Sequence, residues 1–121
     1  MSARHTVTTY PSDAHVEVVV DGVTIAESDH PILLEETGLP IRYYLPRDDV
    51  RMDLLRTTTF QTTCPFKGEA SYWSLDSGNG EVLDGVVWSY EEPLPAAEGV
   101  RELLSFYPDR VDLRVDQPSA S

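Results

Sequence analysis

The segment Cys64-Pro65-Phe66-Lys67-Gly68 carries the side chains best suited to chemistry. Cys64 is the only cysteine of the chain and Lys67 is its only lysine. A nearby lysine lowers the pKa of a thiol, and the resulting thiolate is a nucleophile or a redox group. Pro65 and Gly68 favour a tight turn that exposes the sulfur. Cys64 is therefore a candidate catalytic residue, and the alternative is a buried thiol that packs as a small hydrophobe.

Lys67 and Gly68 also suit anion binding, because the amino group supplies charge and a glycine lets backbone N–H groups approach a ligand. The segment is not a P-loop, which requires the spacing Gly-x-x-x-x-Gly-Lys-Ser/Thr. The competing interpretation is a turn lysine that pairs with an acidic neighbour such as Glu69.

Aromatic residues occur in adjacent pairs on predicted strands. Tyr43 and Tyr44 must point to opposite faces of their strand, and the same holds for Tyr72 and Trp73. One member of each pair therefore packs in the core, while the other lines a surface or a cleft. Most of the aromatic side chains are expected to be core, and the alternative is an aromatic-walled pocket for a planar or cationic ligand.

Arg42 shares a strand face with Tyr44, and Trp88 shares one with Tyr90. The chain is acidic, yet an arginine and its one lysine are expected near aromatic side chains. This placement favours an anionic or aromatic metabolite as the ligand. The residues predicted to bind it are Arg42, Tyr44, Cys64, Lys67, Tyr72 and Trp88.

Carboxylates near the middle of the chain are candidates for Mg²⁺ binding in phosphoryl or nucleotidyl transfer: Asp48, Asp49 and Asp53. Helix N-capping is the favoured explanation, because close carboxylates arise by chance in an acidic chain. The histidines lack metal-binding spacing and are expected at the surface (His5, His15 and His30). No metal site and no cofactor are predicted.

The elements that must position these residues are mostly short strands. Asp21-Gly22 joins two β-branched runs and predicts a type I′ hairpin turn, because both central residues of that turn need φ > 0. Gly85 is a candidate bulge. Short helices are predicted within 47–55 and 96–104. Strands are predicted at 16–20, 23–27, 32–34, 41–45, 57–63, 70–75, 82–90 and 111–115, which gives a mainly β, antiparallel domain with two short helices.

Length and charge restrict the function classes. The 121 residues suit a single domain, 1–121, with a core at about 15–116 and flexible termini. The net charge is −12 and the basic residues are scattered, so neither nucleic acid nor an anionic membrane is an expected partner. One cysteine excludes an intramolecular disulfide and a Cys-rich zinc site. Without a signal peptide or a long apolar run, the protein is predicted to be cytoplasmic.

Several segments resemble the bacterial DUF427 family over roughly residues 15–116. They are YLPRDDV at 44–50, TCPFKGEASYW at 63–73, VWSY at 87–90, PLP at 93–95 and FYP at 106–108. The resemblance implies a compact, barrel-like β fold related to the Mss4-like or β-tent group. Relatives in that group often hold zinc with two Cys-x-x-Cys pairs, reduce methionine sulfoxide, or bind small ligands in an aromatic cage. This chain has neither Cys pair, so no structural zinc is expected.

The leading hypothesis is a ligand-binding module for a small anionic or aromatic molecule, with its pocket around the turn at 64–68. One alternative is an enzyme, either dependent on Cys64 or a nucleotidyltransferase, a label that members of the resembling family have carried. Another alternative is a protein-interaction domain or a homodimer that uses exposed strand edges.

Overall fold

A computed structural model describes residues 5–116, which form two antiparallel sheets. The strands are β1 (Val7–Pro11), β2 (His15–Val20), β3 (Val23–Ser28), β4 (Ile32–Glu36), β5 (Arg42–Leu45), β6 (Leu55–Cys64), β7 (Gly68–Leu75), β8 (Leu83–Ser89), β9 (Leu104–Phe106) and β10 (Asp112–Asp116). The larger sheet has the order β1-β4-β5-β9-β8-β7-β6, and the smaller has the order β10-β2-β3. The mainly β, antiparallel prediction is confirmed. The sequence predicts flexible termini on both sides of a core at about 15–116; residues 1–4 and 117–121 lie outside the described residues, and Val7–Pro11 forms β1, which pairs with β4.

The β2–β3 hairpin has the predicted turn. Asp21 and Gly22 both have positive φ, at 52° and 78°, and Val20 pairs with Val23 across the turn. The predicted bulge at Gly85 is also present, with φ at 62°. There β7 pairs Trp73 with Val87 and then Leu75 with Leu83, so β8 carries extra residues at this point.

The two short helices expected from the sequence are present only as 3₁₀ turns. Those of the first region are Arg47–Asp49 and Met52–Leu54, and no aspartate side chain caps them. In the second region the 3₁₀ segment Pro95–Val100 is kinked at Ala97, and Leu104 begins β9, which pairs with β5 and β8. Helical spacing over so short a run yields to strand pairing. Within residues 5–116, no helix is long and apolar enough to cross a membrane.

The sheets are not closed into a barrel, contrary to the barrel-like expectation. The end strands of the larger sheet, β1 and β6, pair with one neighbour each, and the smaller sheet is separate. One face of the larger sheet instead packs on the smaller sheet. The side chains of Trp73, Val87 and Phe106 share a buried cluster there with Val18 and Ile25.

The opposite face of the larger sheet holds a second buried cluster. Tyr44, Tyr72 and Trp88 belong to it, together with residues of the 3₁₀ turn such as Ala97 and Val100. Because side chains alternate along a strand, Tyr44 and Tyr72 face this cluster while their neighbours Tyr43 and Trp73 pack against the first one. The fold thus places the aromatic residues of the predicted site, Tyr44, Tyr72 and Trp88, on one face.

Candidate functional site

A cavity of about 130 Å³ opens within the second cluster. Its walls come from strands β4, β5, β7 and β8 and from the loops beside them. Of the six residues predicted to bind a ligand, five line it: Arg42, Tyr44, Lys67, Tyr72 and Trp88. The other lining residues are Leu34, Glu36, Leu39, Pro40, Tyr90 and Tyr107.

Hydrogen bonds and ring contacts fix the aromatic wall. The indole N–H of Trp88 donates to the hydroxyl of Tyr44 at 3.0 Å, and the two rings meet edge to face with centres 6.1 Å apart. The hydroxyl of Tyr72 hydrogen-bonds with that of Thr62 at 2.9 Å. Tyr107 packs on the other side of Trp88, with ring centres 4.4 Å apart. The wall is therefore held in one arrangement by its own contacts.

Arg42 places its guanidinium beside two of these rings, which pack on each other. Its central carbon lies 5.5 Å from the ring centre of Trp88 and 5.7 Å from that of Tyr107, both within cation–π range. Within residues 5–116, the side chain makes no hydrogen bond and no ion pair. Its N–H groups are therefore available to a ligand in the cavity.

Lys67 is positioned by a buried carboxylate. Its Nζ forms an ion pair with Oε1 of Glu36, whose side chain is only 6% exposed. The second oxygen of Glu36 accepts a hydrogen bond from Nε2 of His5 at 2.9 Å. Burial acts to raise the pKa of Glu36, but the hydrogen bonds from Lys67 and His5 outweigh it and hold the pKa below its usual 4.5. Lys67 is thus paired with an acid, though with Glu36 rather than Glu69.

Three phenols of the cavity, those of Tyr44, Tyr90 and Tyr107, stay protonated at neutral pH. Burial raises the pKa of Tyr44 and of Tyr90 well above the usual value. Burial and a hydrogen bond with Tyr72 raise the pKa of Tyr107 to about 12. These hydroxyls can donate hydrogen bonds to a ligand, and they are poor bases and poor nucleophiles.

Cys64 is the predicted site residue that does not line the cavity. It is a free, half-buried thiol at the end of β6, where its carbonyl accepts a hydrogen bond from the N–H of Lys67 at 3.3 Å and so closes the expected tight turn. Gly68 packs closely against the chain at Leu94. Its φ is +111°, and a Cβ on it would lie 3.1 Å from the backbone nitrogen of Leu94.

Two of the three candidate magnesium ligands already have protein partners. Asp49 accepts a hydrogen bond from Ser28 at 2.7 Å, and Asp53 pairs with Arg51 at 2.9 Å. Across residues 5–116, no group of three or more His, Cys, Asp or Glu side chains is arranged to hold a metal ion. The histidines lie mostly at the surface, as expected. His5 also reaches the site, because it hydrogen-bonds with Glu36.

Residues that sequence reasoning missed complete the cavity. Tyr90 shares a face with Trp88, so the same alternation could have added it. Glu36 lies two residues beyond Leu34, and extending the predicted strand 32–34 by two positions would have put it on the cavity face. The pairing of Glu36 with Lys67 joins residues 31 apart, and no local pattern indicates it.

Comparison with known proteins supports the resemblance noted from the motifs. The family model described as a domain of unknown function (DUF427) matches residues 8–117. The search of curated proteins found no match.

We expect Gly68→Ala to destabilise the fold by at least about 2 kcal/mol, because it combines a positive φ with a backbone clash. Gly78→Ala is the control, since Gly78 has φ +86° but nothing within 4 Å of the position that a Cβ would take, and its cost should be about 1 kcal/mol. Urea unfolding measures both. Equal losses would show that the contact with Leu94 does not matter.

Lys67→Met should destabilise the protein by about 3 kcal/mol, since it leaves the buried carboxylate of Glu36 with His5 as its remaining partner. Adding Glu36→Gln should recover part of the loss in a double-mutant cycle. Chemical denaturation provides the free energies. A loss below about 1 kcal/mol for Lys67→Met would mean that the ion pair does not hold this part of the fold.

The lowered pKa of Glu36 predicts a specific acid sensitivity. The unfolded chain binds a proton at Glu36 near pH 4.5, whereas the folded protein does so only at lower pH. The contribution is therefore complete above about pH 4.5 and is lost as the pH falls through the folded-state pKa. Glu36→Gln should flatten this part of the curve of unfolding free energy against pH, and an unchanged slope would contradict the assignment.

Proposed function

We propose that this chain, which belongs to the DUF427 family, binds a small organic anion in the cavity beside Arg42. The observation that carries the proposal is the guanidinium of Arg42, which lies against the rings of Trp88 and Tyr107 and has no hydrogen-bonding partner in the described residues. Arginine held in this way presents a planar set of N–H donors that matches a planar anion.

The distribution of charge supports an anionic ligand. The chain carries 21 acidic residues, but the stretches 38–47, 54–68 and 85–90, which supply most of the cavity wall, contain none. Glu36 is the only carboxylate among the lining residues of the described chain, and Lys67 neutralises it. The cavity therefore keeps a local positive charge in an acidic protein, and this disfavours the cationic ligand that an aromatic cage would otherwise accept.

The aromatic wall and the volume of the cavity limit the size and polarity of the rest of the ligand. Its volume, about 130 Å³, is close to that of an apolar cavity of about 150 Å³ that admits benzene. Tyr44, Tyr72 and Trp88 offer apolar ring surface, and the protonated phenols add hydrogen-bond donors. The ligand would thus be a metabolite with one anionic group and a small apolar body, as the predicted cytoplasmic location allows.

Benzoate is a suitable probe because it combines a planar anion with one ring. We expect the parent protein to bind benzoate with an affinity that Arg42→Gln lowers by about 10- to 100-fold, the value of a charged hydrogen bond. Isothermal titration calorimetry measures the affinity. Benzyl alcohol, a neutral compound of similar size, should bind the parent and the variant equally weakly.

Arg56→Gln is the matched control, since Arg56 is an exposed arginine paired with Asp76 and does not line the cavity. Its affinity for benzoate should equal that of the parent. If the parent failed to bind benzoate or any other small organic anion, or if Arg42→Gln bound as well as the parent, the proposal would be wrong.

A further inference from the structure

We infer that the anion is a monocarboxylate whose aliphatic tail leaves the cavity across an apolar rim formed by Leu39, Pro40 and Phe66. This inference rests on the proposed function and narrows its ligand class. It combines the charge of the cavity, its volume and the exposed apolar side chains beside it.

The charge of the cavity matches a single negative charge. Lys67 is already compensated by Glu36, so Arg42 is the one lining cation whose charge has no partner in residues 5–116. A carboxylate brings one negative charge in a planar group that accepts two parallel N–H bonds from a guanidinium. A phosphate dianion would bring a second charge for which the described cavity has no free cation.

The volume of the cavity limits how much of the ligand it can enclose. About 130 Å³ accommodates a group of roughly benzene size, which corresponds to the carboxylate and a few methylenes. A longer tail must pass through the opening of the cavity. The residues at that opening decide whether the extra carbons increase the affinity of the ligand.

The exposed apolar residues of the cavity lining, Leu39 and Pro40, lie on one turn. Leu39 lines the cavity and is 55% exposed. It lies on a tight turn whose geometry is fixed by Gly38, at φ +80°, by the N–H of Leu39 donating to the carbonyl of Glu36 at 3.0 Å, and by Pro40. The exposed leucine is therefore part of a rigid turn.

Phe66 directly precedes Lys67 in the chain and is 45% exposed. Its ring stacks on that of His5 with centres 4.0 Å apart, and His5 hydrogen-bonds with Glu36. Glu36 thus connects both apolar parts of the rim. Three side chains offer far less area than the roughly 800 Å² per partner of a stable protein interface, so the rim suits an alkyl chain better than a protein.

The test is a series of straight-chain carboxylates titrated calorimetrically into the full chain, from acetate to decanoate, below the critical micelle concentration. We expect decanoate to bind at least tenfold more tightly than hexanoate, at about twofold per methylene, which is half the free energy of full burial. Leu39→Ser and the double variant with Phe66→Ser should remove this gain, so that hexanoate and decanoate bind each variant with equal affinity.

Val82→Ser is the control, because Val82 is 43% exposed and does not line the cavity; it should behave as the parent. Equal affinities for butyrate, hexanoate and decanoate would overturn the inference and leave anion binding intact, whereas no binding of any carboxylate would count against the proposed function itself. Tighter binding of a peptide that ends in a leucine carboxylate than of decanoate would also overturn it, in favour of a protein partner.

Discussion

The buried ion pair between Glu36 and Lys67 is the interaction on which the site depends. Glu36 ends β4, and Lys67 lies in the turn between β6 and β7. In the sheet order, three strands separate β4 from β7, so a flat sheet would hold the two strands about 19 Å apart. The ion pair can form only because the sheet curves strongly around its second cluster. It joins the two sides of that curve without closing a barrel.

This constraint gives the two cations of the cavity different roles. Lys67 is compensated, and it positions the turn at 64–68 and the rim beside it. Arg42 is supported by aromatic rings alone, so its N–H groups stay available. Breaking the pair between Lys67 and Glu36 would affect stability first, whereas removing Arg42 would affect recognition first. Placing the two roles on different side chains matters in an acidic protein. A cation that is not packed against aromatic rings would be neutralised there by a neighbouring carboxylate.

Local rules predicted much of the fold and five of the eleven residues that line the cavity. The Asp21-Gly22 turn and the bulge at Gly85 follow from conformations that favour glycine. The shared face of Arg42 and Tyr44 follows from strand alternation. Residues whose placement depends on distant partners could not be predicted in this way. The spacing around Leu104 is helical, but pairing with β5 and β8 makes it a strand, and the partner of Lys67 was sought at Glu69 because long-range pairing leaves no local pattern.

The difference between local patterns and long-range placement also explains why Cys64 lies outside the cavity wall. Its chemistry is visible in the sequence, but its position depends on how the β6–β7 hairpin is oriented, and the structure places it outside the cavity wall. Lys67, three residues later, lines the cavity because the ion pair with Glu36 draws it there. A motif can therefore identify the right turn without identifying which of its side chains faces the site.

The most direct measurement of the central claim is a ¹⁵N NMR titration of the full chain with butyrate, observed at the two tryptophan indole N–H signals. Trp88 contacts Arg42 and lines the cavity, while Trp73 lies in the other cluster and serves as an internal reference. If Arg42 binds the carboxylate, the Trp88 signal should shift and saturate while the Trp73 signal stays in place. A Trp88 signal that does not move, or equal and non-saturating shifts of both signals, would contradict binding at this cavity.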